Sequence, residues 1–99
     1  MNNKEYTIPI PNDLSNYVES LFHEYNAIRE VLHYIRSQGN NLLIYEDEYK
    51  HDLELKEQEL EYAKEIIGKE YNPFPENIGY YYEFKFSDYS IVYREMEED

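Results

Sequence analysis

Two Glu-x-x-His pairs, Glu30/His33 and Glu48/His51, place a carboxylate and an imidazole one helical turn apart. Projected into a helical bundle, that spacing builds dinuclear iron or manganese centres. In an antiparallel hairpin turning at residues 39–41, position 30 falls near the level of position 50. The four side chains could then converge, with dimerisation completing the shell. Helical phase argues the other way. Residues 28, 32 and 35 define the inward seam of the first helix and leave 30 and 33 beside it. On the second helix, 45, 49 and 53 define the seam and turn His51 almost opposite. A metal-binding helical dimer using these four residues is the alternative reading; solvent-facing helix histidines are the ordinary one. No other cofactor is expected.

A larger chemical signal is the carboxylate content of residues 42–71: ten Asp and Glu against four Lys, a net charge of −6. Asp47, Glu54, Glu57, Glu61 and Glu65 recur at helical spacing, with Glu48, Asp52 and Glu59 on the adjoining side. Such a row is an ordinary solvated face, or a negative strip spaced not unlike successive phosphates. Small acidic proteins that imitate nucleic acid to block nucleases or regulators use the second strategy. A third group is aromatic. Tyr81, Tyr82 and Tyr93 lie in a period-two stretch near the C-terminus and supply the large amphipathic rings that anchor interfaces.

Catalysis is not expected. The three glycines, at 39, 68 and 79, are isolated and form no phosphate loop. Serines 15, 20, 37, 87 and 90 lack a base and an orienting group, because all three histidines sit on helices at unrelated phases. The absence of cysteine removes disulfides, thiolate metal sites and cysteine nucleophiles.

The totals narrow the partners. The 99 residues suit one domain, and 22 acids against 9 bases give a formal charge of −13. Phosphates repel such a surface, so direct nucleic-acid or anionic-membrane contact is disfavoured and a charged partner should be basic. With 41% apolar residues a core is within reach, although the mean hydropathy of −0.90 implies much surface for little interior. The N-terminal residues lack a signal-peptide layout and no long apolar run occurs, so a cytoplasmic protein is expected. Richness in Tyr, Asn, Lys and Glu suggests an AT-rich coding sequence, bacterial or viral.

Positioning these groups requires five elements. Residues 4–11 alternate around Tyr6, Ile8 and Ile10, but Pro9 cannot donate to a ladder, so any strand here belongs at a sheet edge. Residues 13–38 carry a heptad seam of Leu14, Val18, Leu21, Tyr25, Ile28, Leu32 and Ile35. Tyr17, Phe22, Val31 and Tyr34 widen that stripe, which predicts more than one neighbour for the helix. Gly39 stops it, and Asn40–Asn41 can close the turn and cap the second helix. Residues 42–71 form that helix, roughly 45 Å long at 1.5 Å per residue. Its stripe runs through Leu42, Tyr45, Tyr49, Leu53, Lys56, Leu60, Ala63 and Ile67, with Lys56 laying its stem over apolar surface. Pairs Glu46/Lys50, Asp52/Lys56 and Glu65/Lys69 should brace it at i,i+4. After Asn72-Pro73-Phe74-Pro75, residues 80–94 alternate around a turn at Ser87-Asp88 and read as a β-hairpin. Residues 95–99 are an acidic tail.

The fold expected is α+β: a long antiparallel helical hairpin packed with a small antiparallel β-hairpin, with residues 4–11 available as a third, edge strand, in one domain over 1–99. The function expected is non-enzymatic: an acidic protein-binding module, adaptor or inhibitor of a basic partner, in its sharpest form a nucleic-acid mimic such as a phage-encoded inhibitor. Self-association through the helix 1 seam, as a homodimer, is a further expectation.

Overall fold

A computed structural model describes residues 4–39 and 42–96. The expected Asn40–Asn41 cap and the last three tail residues lie outside them. The chain is α+β: β1 (Glu5–Pro9), α1 (Asn12–Ser37), a 3₁₀ turn (Leu43–Tyr45), α2 (Glu46–Glu70), β2 (Tyr80–Lys85), a 3₁₀ turn (Phe86–Asp88) and β3 (Ser90–Glu95). It divides into two compact units, residues 18–64 and residues 1–17 with 65–99. Each helix contributes to both; the first unit is one continuous stretch of sequence and the second joins two.

The helical unit is a hairpin of α1 and α2. Val18, Leu21, Leu32 and Ile35 of the heptad seam are buried, as is Leu60 of α2. These seam side chains are thus covered within one chain. Lys56 does lie in the apolar stripe of α2, and its ammonium bonds outward to Glu24 of α1 at 2.8 Å and Glu59 at 3.1 Å. Those hydrogen bonds, Glu24's first, raise its pKa against the small opposing effect of desolvation.

The i,i+4 bracing expected of α2 is only partly present. Glu65 and Lys69 pair at 2.8 Å, but Glu46 reaches across to Arg36 at 3.0 Å and Lys56 takes Glu24 and Glu59 instead of Asp52. An antiparallel neighbour offers partners that a lone helix lacks. The α2 helix also begins at Glu46 rather than Leu42, with the apolar residues before it wound as a 3₁₀ turn. Glu46, Asp47 and Glu48 occupy its first turn, where carboxylates suit the free amides of the helix start.

The sheet unit holds three antiparallel strands in the order β1-β3-β2. Pro9 sits on the edge strand β1, where its missing N–H costs least. Register places Tyr82 opposite Tyr93 and Phe84 opposite Ile91, with Tyr6 and Ile8 completing the same face from β1. The rings of Tyr80 and Tyr82 approach Tyr93 at 5.6 and 6.1 Å between centroids, and Phe74 packs on Tyr6 and Tyr80 at 5.2 and 6.1 Å. Tilted, stacked and edge-on contacts of this kind add about 0.5–1.5 kcal/mol per pair beyond area burial. Phe74 is held in place by Asn72, whose Oδ1 accepts from the Phe74 amide at 2.9 Å and whose Nδ2 donates to its carbonyl at 3.2 Å.

The last turns of α2 belong to this unit, and Gly68 is what lets them approach the sheet. A Cβ at Gly68 would lie 2.8 Å from the Tyr82 ring. The bare backbone there also leaves the Gly68 carbonyl open to the Tyr93 hydroxyl, which donates to it at 2.7 Å. On the opposite sheet face, Arg94 bridges Glu5 at 3.0 Å and Glu83 at 3.5 Å, and Lys85 meets Glu83 at 3.2 Å. The hairpin turn is closed by Tyr89 in the left-handed region, φ 51°.

Candidate partner-binding surface

The carboxylate row forms on α2 because its residues repeat in phase away from the buried Leu60 and Ile67. Asp47, Glu54, Glu57, Glu61 and Glu65 are all exposed. Their neutralisation is uneven. Glu65 is held by Lys69, whose hydrogen bond lowers its pKa, and Glu61 lies 3.8 Å from Lys64. Asp47, Glu54 and Glu57 make no ion pair among the described residues. Four members, Asp47 to Glu61, fall in the helical unit, and Glu65 falls in the sheet unit.

The three aromatic candidates separate by face. Tyr81 points outward opposite Arg94 and is 52% exposed. Tyr82 is half-buried against Gly68, and Tyr93 is fully buried, with its hydroxyl spent on the Gly68 carbonyl. Burial pushes the Tyr93 phenol well above its ordinary value, with the neighbouring Tyr80 and Tyr82 adding to the shift. Tyr93 is therefore core, not contact surface. The inward face of the hairpin is occupied by the end of α2, and only Tyr81 of the three is freely presented.

The Glu-x-x-His residues are not gathered. Glu30 and His33 line an open groove of about 550 Å³ with Arg29, Arg36, Leu32 and Leu53. Two guanidinium groups there oppose a bound cation electrostatically. Glu48 and His51 are absent from the groove lining and both are exposed. Among the described residues no group of three or more His, Asp or Glu side chains is arranged to hold a metal ion.

What residue types alone did not single out is exposed apolar surface on the helical unit. Val31, Tyr34, Tyr45 and Leu55 are all exposed. The over-wide stripe of α1 carried part of that signal, since it called for a neighbour beyond α2. Tyr45, by contrast, fell on the expected buried stripe of α2.

No family model, curated protein or solved structure matches the chain.

Proposed function

We propose that this chain is a small acidic protein-binding module that engages a basic partner through the carboxylate face of α2, as an adaptor or an inhibitor. The observation that carries the reading is the set Asp47, Glu54 and Glu57: exposed, in one row, and without a cationic partner among the described residues, in a chain of charge −13. Unneutralised carboxylates steer a basic surface and fix its register, and they lose that influence as salt screens them. In the sharpest form of the proposal the row stands in for the phosphates of a nucleic acid and occupies the groove of a protein that binds one. The role is binding rather than catalysis, in keeping with serines 15 and 90 being buried and the three histidines lying exposed on helices. No helix among the described residues is long and apolar enough to cross a membrane.

The test is capture of partners from source cells beside a variant carrying Asp47→Asn, Glu54→Gln, Glu57→Gln and Glu61→Gln. A basic protein should be retained by the parent and lost by the variant. Its affinity should fall at least about tenfold between roughly 0.05 and 0.5 M salt. An affinity indifferent to salt overturns the electrostatic account.

A further inference from the structure

The helical unit carries a groove along one flank of the α1–α2 hairpin. Val31, Tyr34 and Ile35 of α1 and Leu42, Tyr45 and Tyr49 line an open hollow of about 270 Å³. A second hollow of about 310 Å³ is lined by Ile28, Asp52, Leu55, Lys56 and Glu59. Ile28 precedes Val31 by three residues and Asp52 follows Tyr49 by three, so the two hollows fall on successive turns of the same helices. Tyr34 is 57% exposed, Leu55 51% and Tyr45 47%. These three large side chains face water along one flank of the hairpin.

We infer that this flank is the docking groove for an amphipathic helix of the partner, one whose apolar stripe is bordered by Lys or Arg. The inference rests on the protein-binding reading above and adds to it a second, apolar determinant. Shape sets the first requirement. From Tyr45 to Leu55 the groove runs about 15 Å, room for apolar anchors at i, i+3 or i+4, i+7 and i+11 of an entering helix. Charge sets the second. Glu24, Asp52 and Glu59 stand at the second hollow and its clasp against one cation, Lys56, and that ammonium is already bound by Glu24 and Glu59. The rim is thus left acidic. A second copy of this chain would bring carboxylates against carboxylates, whereas a basic border pairs with them. Sequence supplies an independent hint, since α1 is apolar over a wider arc than one neighbouring helix covers.

The probe is a synthetic helical peptide of about 18 residues with Leu on one stripe and Lys on its flanks, set beside an isomer of identical composition with the stripe shuffled away. Titration into ¹⁵N-labelled protein should shift amides over residues 28–35 and 45–55. Tyr34→Ser and Leu55→Ser should each weaken the striped peptide about tenfold, and the shuffled isomer should bind at least about tenfold more weakly. Both positions are exposed, so the variants should melt with the parent, which thermal unfolding checks. Equal binding of both peptides, or shifts confined to Asp47, Glu54 and Glu57, overturns the groove and leaves the carboxylate-face reading intact. No binding of the striped peptide overturns the groove as well. Concentration-dependent dimerisation abolished by Tyr34→Ser would give the flank to a second copy and likewise overturns the proposal. Loss of striped-peptide binding in the Tyr34 and Leu55 variants, with none in the four-fold neutralised variant, supports the groove while removing the carboxylate face.

Discussion

In the sheet unit, tyrosines 80, 82 and 93 stack ring against ring beneath the end of α2, and the buried hydroxyl of Tyr93 is bonded to a backbone carbonyl. In the helical unit, tyrosines 34, 45 and 62 stand largely in solvent. The residue type is the same, but the surroundings differ. A sheet face presents rings in register, and a helix end with no side chain at Gly68 can close over them. Two helices alone cannot cover a stripe as wide as that of α1, so rings on its margin stay exposed. Where tyrosine is enclosed, its loss should therefore be felt in stability. Where it is exposed, its loss should be felt in binding.

The sharpest break of that contrast is truncation. Tyr93→Ala should cost about 3–5 kcal/mol through the cavity and the lost ring contacts, a large part of the total stability of a small domain. Tyr34→Ala should move the denaturation midpoint by no more than about 0.5 kcal/mol, as measured by urea unfolding. Comparable losses at the two positions would erase the distinction. Next in size is Gly68→Ala. In an open helix this change would gain up to about 1 kcal/mol, but here the new methyl meets the Tyr82 ring and the net effect should be a loss of about 1–3 kcal/mol. Restoration of stability by Tyr82→Leu in the same chain would trace that loss to the steric clash.

Tyr93→Phe keeps the ring and removes the hydroxyl, leaving the Gly68 carbonyl unpaired, for about 1–2 kcal/mol. It also sharpens the comparison through pH. The folded phenol titrates above its ordinary value, so its contribution is complete below about pH 10, where the unfolded phenol begins to ionise. That contribution declines as pH rises through the higher folded value. Alkaline melts should thus fall more steeply for the parent than for Tyr93→Phe, and parallel curves would refute the assignment. Smallest of all is Ser90→Ala. The hydroxyl is buried and finds no hydrogen-bond partner among the described residues, so its removal should be neutral or stabilising by up to about 1 kcal/mol in the same unfolding assay.

Periodicity carried most of the fold. The heptad seam of α1, the alternation over residues 80–94 and the edge position implied by Pro9 are local patterns that tertiary packing had no reason to override. The start of α2 was less legible, because residues 42–45 are apolar enough to continue a helix, yet residues 43–45 are wound as a 3₁₀ turn. Ion pairs were misread where a partner lay on the other helix, as for Glu46 and Lys56. The surface was hardest. Alternation assigned Tyr82 and Tyr93 to one face without saying whether a partner or the chain itself covers it. The clue was Gly68, a helix-interior glycine whose meaning depends on what approaches it. The groove residues Tyr34 and Tyr45 satisfy the helical pattern equally well whether enclosed or exposed.

The 2.8 Å separation between the Tyr82 ring and the position a Cβ would take at Gly68 has a consequence beyond this one molecule. Positions 68 and 82 share a fixed volume, so in any chain with this architecture they should exchange size: a side chain at the first demands a smaller residue at the second. A side chain at position 68 meets the Tyr82 ring, so its accommodation requires a smaller residue at 82. A distant relative should be recognisable by a glycine near the end of its second helix, matched to an aromatic third in the next strand.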